Sequence, residues 1–280
     1  MEVIVAFSLN DIGNSMMSNL LNMKGKNTII TGAAGKLGKS ISFTLAELGS
    51  NLILVDLCFS DLLKLKSEIQ NIFNVDVKIF EVNLEIELER QQFVTKLKNE
   101  IDYLNCLINN AAFVGTSDLK GWAVDFENQS LETWRRAFEV NVTAPFHLSQ
   151  LLSDILRLSQ DANIINISSI YGYLGPDWNL YNNNNLSNPA AYSCSKGALI
   201  QLTRWLSTTL APDIRVNSIS PGGIYRSQPK NFVSRYEEKT PLKRMAKEED
   251  LAGTIAFLAS NASEYMTGEN LIVDGGFSTW

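Results

Sequence analysis

The chain has 280 residues, of which 45% are apolar, with a net charge of −6 and a pI near 5.0. That apolar content supplies a sizeable core for one large α/β domain or two small ones and excludes a disordered chain. The acidic balance excludes a nucleic-acid protein, which needs a concentrated basic face, and points to a small-molecule or protein partner.

Residues 1–22 carry only weak pattern and read as an N-terminal extension outside the core fold, with nothing in them that predicts order. After Met23-Lys24-Gly25-Lys26, the run Asn27–Thr31 predicts a strand, followed by a helix near Lys39–Glu47, a strand at Asn51–Val55 and a helix near Ser60–Phe73. Further strands are expected at Val77–Val82, Leu104–Ile108, Asn163–Ile167, Ile214–Ser218 and Leu271–Val273, with helices between them. Leu52–Val55 is apolar without a period of two, as parallel strands buried on both faces are. The pattern predicts an α/β fold with a doubly wound (Rossmann) parallel sheet of about seven strands. No linker, composition break or repeat divides it, so residues 23–280 form one expected domain. Two stretches lack regular pattern, the polar Pro176–Pro189 and Tyr225–Arg244. Both follow strand C-termini, the edge where open α/β sheets bind ligands.

Cys58, Cys106 and Cys194 have spacings that suit neither a disulfide framework nor a zinc site, so no metal is expected and they read as buried small apolar residues. No apolar run approaches the ~18 residues that cross a bilayer. Glu2 stands where a secretory signal carries basic residues, which makes the cytoplasm the expected compartment and excludes a membrane partner.

Thr31-Gly32-Ala33-Ala34-Gly35-Lys36-Leu37-Gly38 lies between the first strand and the first helix, where N–H groups and the helix dipole receive a pyrophosphate. Asp56 follows Gly38 at nearly the ~20-residue offset of an acidic residue that accepts adenosine ribose hydroxyls. The same carboxylate repels a 2′-phosphate, which favours NAD(H) over NADP(H), although Lys36 and Lys39 pull the other way. A strand-end residue capping its own turn is the competing reading of Asp56. Asn109-Asn110-Ala111-Ala112 after the fourth strand leaves room for the adenosine side and offers amides that tie adjacent loops together.

Tyr192 and Lys196 stand four residues apart on one face of a helix expected over Ala190–Leu210. Chance nearly supplies one such pair, so its company decides. Ser169 follows the fifth strand in Asn166-Ile167-Ser168-Ser169, and Asn141 lies in a predicted helix.

In this order, the glycine turn, Asn-Asn-Ala-Ala, Asn141, Ser169 and Tyr192/Lys196 resemble the short-chain dehydrogenase/reductase family over roughly residues 24–276. Pro221-Gly222-Gly223-Ile224, Pro241-Leu242-Lys243-Arg244-Met245 and Thr267–Gly276 extend the likeness. The resemblance implies an oxidoreductase acting on CH–OH groups, with hydride passing between nicotinamide and a carbonyl or secondary alcohol. Tyr192 would be its general acid or base, with Lys196 as the ammonium that lowers the phenol pKa and holds the nicotinamide ribose. Ser169 would bond the substrate oxygen, and Asn141 would order a water behind Lys196. Cofactor contacts are implied for Gly32, Gly35, Lys36, Leu37, Gly38, Asp56, Asn83, Leu84, Asn110, Ala111, Tyr192, Lys196, Pro221, Gly222 and Ile224. A homodimer or homotetramer through the long helices is also implied.

The chain departs from the family's pattern in places. Gly35 comes one position early, Asn83 replaces an aspartate near the adenine, Ala112 replaces a glycine, and Arg226 stands where a threonine often holds the cofactor. The stretch from Ser169 to Tyr192 is also longer than usual. Its Asp177, Trp178, Tyr181 and asparagines suit stacking on a sugar ring, or else form an ordinary polar loop. Arg226, Lys230, Arg235, Lys239, Lys243 and Arg244 make the following segment basic, which suits an anionic, sugar-phosphate-like substrate or else a solvated amphipathic helix. Ser169–Gly172, Asn188–Tyr192 and Pro221–Tyr225 are similar to family members of bacterial surface-sugar and flagellin-glycan biosynthesis. Two other functions fit the residues less well. A 3-oxoacyl thioester reductase would use NADPH, against Asp56, and a non-catalytic NAD-binding regulator would not need all four of Asn141, Ser169, Tyr192 and Lys196.

Overall fold

Short runs of Ile, Leu and Val form strands β1 (Asn27–Thr31), β2 (Asn51–Asp56), β3 (Val77–Glu81), β4 (Cys106–Asn109), β5 (Asn163–Ile167), β6 (Arg215–Pro221) and β7 (Asn270–Val273). In the computed structural model, which describes residues 16–113, 119–183 and 186–280, they make one parallel sheet in the order β3-β2-β1-β4-β5-β6-β7. Residues 1–15 of the expected extension, and Asn184 and Asn185 of the polar loop, lie outside the described residues.

The helices are α1 (Met16–Leu21), α2 (Lys36–Glu47), α3 (Phe59–Gln70), α4 (Glu87–Lys98), α5 (Leu131–Phe138), α6 (Ala144–Leu156), α7 (Ala190–Leu210), α8 (Lys230–Lys239) and α9 (Ala252–Ala259). Alternate strand residues feed two separate cores. Ile29, Ile53, Leu107, Ile164 and Val216 meet Phe93, Leu148 and Leu206 of α4, α6 and α7 on one face. Ile30, Leu52, Leu54, Ile108 and Ile165 meet Ile41, Leu45, Leu65 and Ile255 of α2, α3 and α9 on the other. Each such aliphatic side chain contributes about 1.5–3 kcal/mol by leaving water, so the strands must be apolar on both faces.

The single-domain seven-stranded reading therefore holds, with shifted ends. β6 runs on to Pro221 because its last residues pair with β7, Pro221 opposite Val273. α2 begins at Lys36, directly after the glycine turn. Within the expected extension, Met16–Leu21 is helical, and Met23 is fully buried with its N–H donated to Leu48 O at 2.9 Å. Of the cysteines, only Cys106 is buried; Cys58 is half-buried and Cys194 exposed, because the two lie at a helix start and on the outer side of α7. No helix of the described residues is long and apolar enough to cross a membrane.

Strand order reverses between β1 and β4, which opens a crevice at the C-terminal edge of the sheet. Register places the ends of β1, β2, β4, β5 and β6 along that edge: Thr31 beside Val55, Asn109 beside Asn166, Ile167 beside Ile219.

Candidate active site

The turn after β1 is built for close approach. A Cβ on Gly38 would sit 2.1 Å from Gly32 O and 2.7 Å from Ala33 Cα, so only glycine lets α2 start against the turn. No side chain caps α2, whose N-cap is Gly35. The N–H groups of its first turn, at Lys36, Leu37 and Gly38, and the positive end of its dipole are therefore available to a pyrophosphate. Asp56 caps this turn, accepting Ala34 N–H through Oδ2 at 2.8 Å and Leu57 N–H through Oδ1 at 2.7 Å. Each carboxylate oxygen keeps a lone pair for a ligand hydroxyl.

Asn110 joins two loops, its amide donating to Thr31 O at 2.9 Å and Gly32 O at 3.1 Å, while Thr31 Oγ1 accepts the N–H groups of Asn110 and Ala111. Asn83 spends its Oδ1 on Glu85 N–H at 3.0 Å, and Leu84 is buried in the core with its carbonyl held by Arg90. Uncapped helix end, narrow turn and strand-end carboxylate together fit a nicotinamide dinucleotide.

Tyr192 and Lys196 lie on the inner side of α7, and the Ser169 hydroxyl that follows β5 is close enough to the Tyr192 phenol to favour its ionised form. Ser169 Oγ accepts Tyr171 N–H at 3.2 Å. Lys196 is 2% exposed; its Nζ donates to Ile167 O at 2.7 Å and lies 5.9 Å from the Tyr192 ring centroid. Burial lowers the Lys196 pKa to about 8. The Tyr192 phenol moves the other way from expectation. Desolvation raises it, against lowering by the Ser169 hydroxyl and the Arg226 charge. The ammonium faces a backbone carbonyl and not the phenolic oxygen, so in the free protein burial outweighs it.

The low Lys196 pKa has a measurable consequence. Folded Lys196 loses its proton through about pH 8, whereas an unfolded lysine keeps its own to about 10.5. Between those values the unfolded state binds more protons, so stability rises with pH. Relative to Lys196→Met, wild type is expected to gain about 2 kcal/mol between pH 7 and 9.5 in urea unfolding. The tyrosines are common to both proteins and cancel; a difference flat in pH would contradict the buried ammonium.

Asn141 sits in a π-helical turn, Glu139–Thr143, that joins α5 to α6, a departure from the plain helix expected there. Fully buried, it accepts Phe113 N–H at 2.7 Å and donates to Ser195 Oγ at 2.9 Å, and Ser195 in turn donates to Tyr192 O at 2.9 Å. Ser195 was passed over in the sequence because a small serine inside Tyr-x-x-x-Lys carries no signal of its own. A second buried relay, Asn109 to Asn166 at 2.8 Å and Asn166 to Thr203 at 2.9 Å, ties β4 and β5 to α7. Asparagines inside apolar strands were its only trace.

The long loop and α8 dock on each other. Trp178, Tyr181, Phe232, Tyr236 and Phe277 pack in series, with Trp178 and Tyr181 centroids 5.7 Å apart. Tyr181 OH bonds Tyr171 OH at 2.7 Å, and Trp178 remains 55% exposed. The charge of Arg226 is felt at the Tyr192 phenol and lowers its pKa, although less than the Ser169 hydroxyl does. Half of the segment's six cations are ion-paired within the chain. Lys239 pairs with Asp177 at 2.7 Å, Arg244 with Asp250, and Arg226 with Glu248 at 3.4 Å, while Lys243 donates to Glu238 O. α8 buries Phe232 and Tyr236 and exposes its charges, as an amphipathic helix does.

Comparison with known proteins agrees with this geometry. Residues 32–278 match a family model described as Enoyl-(Acyl carrier protein) reductase. The chain is 30% identical over 261 residues to the 3-oxoacyl-[acyl-carrier-protein] reductase FabG of Aquifex aeolicus, covering 91% of this chain and 98% of the relative. It is 26% identical over 257 residues to the post-translational flagellin modification protein A of Campylobacter coli, covering 91% and 99%. A short chain dehydrogenase from Leptospira borgpetersenii with bound NAD+ superposes with a TM-score of 0.79 at 29% identity, covering 95% and 96%. The Pseudomonas aeruginosa RhlG/NADP complex superposes with a TM-score of 0.81 at 25% identity, covering 92% and 98%. Fold, site and matches together make this chain a member of the short-chain dehydrogenase/reductase family, oxidoreductases acting on alcohol and ketone groups.

Proposed function

We propose that the protein is an NAD(H)-dependent oxidoreductase interconverting a carbonyl and a secondary alcohol, with Tyr192, Lys196, Ser169 and Asn141 as its working residues. The observation that carries it is a buried Lys196 one turn from Tyr192 with Nζ 5.9 Å from its ring, beside Ser169 at the sheet edge that also holds the uncapped α2. Bound NAD(H) supplies or accepts the hydride. Ser169 Oγ holds the substrate oxygen, and Tyr192 Oη hands that oxygen its proton in reduction or takes it in oxidation. Lys196 stabilises the phenolate left behind, and the Asn141–Ser195 relay fixes the helical turn between the two. Gly32 to Gly38 take the pyrophosphate, Asp56 the adenosine ribose, Asn110 and Ala111 the adenosine side, and the backbone of Pro221, Gly222 and Ile224 the nicotinamide.

NAD(H) is favoured because Asp56, held by two N–H groups at the end of β2, would meet an adenosine ribose there and repel a 2′-phosphate. Asp56→Asn keeps the shape and removes the charge, and is expected to shift the NADH-to-NADPH affinity ratio about tenfold toward NADPH. A ratio unchanged in fluorescence titration would remove the ribose assignment. For the substrate, a sugar or polyol is favoured, since Trp178 stands exposed beside Tyr181, and with Arg226 and Lys239 ion-paired a neutral one is favoured over a phosphorylated one. The likeness to an acyl-carrier-protein reductase supports a second reading, reduction of a 3-oxoacyl thioester. A turnover screen of polyols, sugars, sugar phosphates and oxoacyl thioesters with both nucleotides decides between them. A cytoplasmic homo-oligomer is the expected setting.

A further inference from the structure

The Pro221–Ile224 segment leaves the end of β6 and is braced on several sides. Gly222 N–H donates to Val273 O at 2.9 Å, Gly223 O accepts Ala246 N–H at 3.0 Å, and Ile224 O accepts the Gln228 amide at 2.8 Å. The remaining brace comes from α8. Gly223 N–H donates to the hydroxyl of Tyr236 at 2.5 Å, and Tyr236 is 2% exposed. A Cβ on Gly223 would lie 2.9 Å from Tyr236 Cε2 and Cζ, so glycine at that position is what lets the ring approach the backbone. Tyr236 is fixed in turn by the C-terminal segment. Its ring stacks on Phe277 with centroids 4.5 Å apart and planes 16° apart, and Asp274 anchors Phe277 by accepting Gly276 and Ser278 N–H at 2.8 and 2.9 Å. Burial holds the phenol well above the usual tyrosine range, so it stays a neutral hydroxyl across the working pH.

We infer that Tyr236 is a positioning residue for the nicotinamide end of the cofactor, acting through the Gly223–Ile224 backbone and held in place by Phe277. This rests on the NAD(H) reading of the cleft. Without the hydroxyl, Gly223 N–H is left unpaired and the segment must be ordered at the moment of binding, a cost that falls on the nicotinamide alone. α8, which docks the long loop, thereby connects the substrate side of the cleft to the cofactor side.

The test compares NADH with ADP-ribose, which has the same adenosine and pyrophosphate but no nicotinamide, by calorimetric titration of the full chain. Tyr236→Phe keeps the stack on Phe277 and is expected to weaken NADH about five- to tenfold while ADP-ribose binds within twofold of wild type. Phe277→Leu keeps the hydroxyl but frees the ring, and is expected to weaken NADH about two- to threefold with ADP-ribose again unchanged. Equal losses for both ligands would mean that Tyr236 only supports the fold, and no loss for either would mean that Gly223 does not need it; both outcomes overturn the inference. A wild-type chain that binds neither ligand would instead overturn the NAD(H) reading and this inference with it.

Discussion

Tyr192→Phe is expected to lower kcat about a thousandfold while NADH binds with wild-type affinity. The substitution keeps the ring on the inner side of α7 and removes one oxygen. Ser169 still accepts Tyr171 N–H, so the loop after β5 keeps its shape. What disappears is the group that gives or takes a proton at the substrate oxygen, and general acid–base catalysis of that kind contributes about 10²–10⁴-fold. Removing a hydroxyl that burial already penalises leaves stability within about 1 kcal/mol of wild type. Steady-state kinetics on whichever substrate the turnover screen identifies, beside an NADH titration, reads both quantities. A kcat within tenfold of wild type would end Tyr192's role as acid or base, and a parallel loss of NADH affinity would show that it acts on the cofactor site instead.

The central strands were legible because each is short, rich in Ile, Leu and Val, and buried on both faces; Asn27–Thr31 and Asn163–Ile167 match their predicted ends. The α7 helix was equally legible, since Tyr192 and Lys196 fall one turn apart between Pro189 and the Ala211-Pro212 end. What could not be read depends on partners far away in the chain. The π-helical turn at Asn141 is defined by bonds to Phe113 and Ser195, neither of which any local pattern announces. The raised Tyr192 pKa follows from how deeply α7 is covered, whereas the i, i+4 spacing showed only that an ammonium was near. The pairing of the basic segment was hidden for the same reason. Its charges were visible in order, but Asp177, Asp250 and Glu248, which pair with three of them, are assigned only by the fold. Tyr236 lies among charged residues that hide it, although Phe232 four residues before it marks an apolar face.

Arg90 carries the second large effect, because it is a fully buried cation with three partners. Its guanidinium donates to His147 Nδ1 at 3.1 Å and to Leu84 O, and pairs with Glu139 at 2.7 Å. Leu84 lies on the loop after β3, and Glu139 begins the π-helical turn that carries Asn141, so one side chain on α4 links that loop to the relay behind Tyr192. Arg90→Met fills much of the same volume but leaves the Leu84 carbonyl and the His147 nitrogen without their donor. Breaking one partner of a buried charged network costs about 3 kcal/mol here, near the low end for such groups because Glu139 is partly exposed and can rehydrate. A fall in Tm of roughly 5–10 °C by calorimetry is the expected readout. In the surviving folded protein, kcat should fall several-fold, because the π-helical turn has lost the contact that anchors its first residue. Wild-type kcat together with the lower Tm would confine Arg90 to stability; an unchanged Tm would mean that the three contacts are not jointly made in solution.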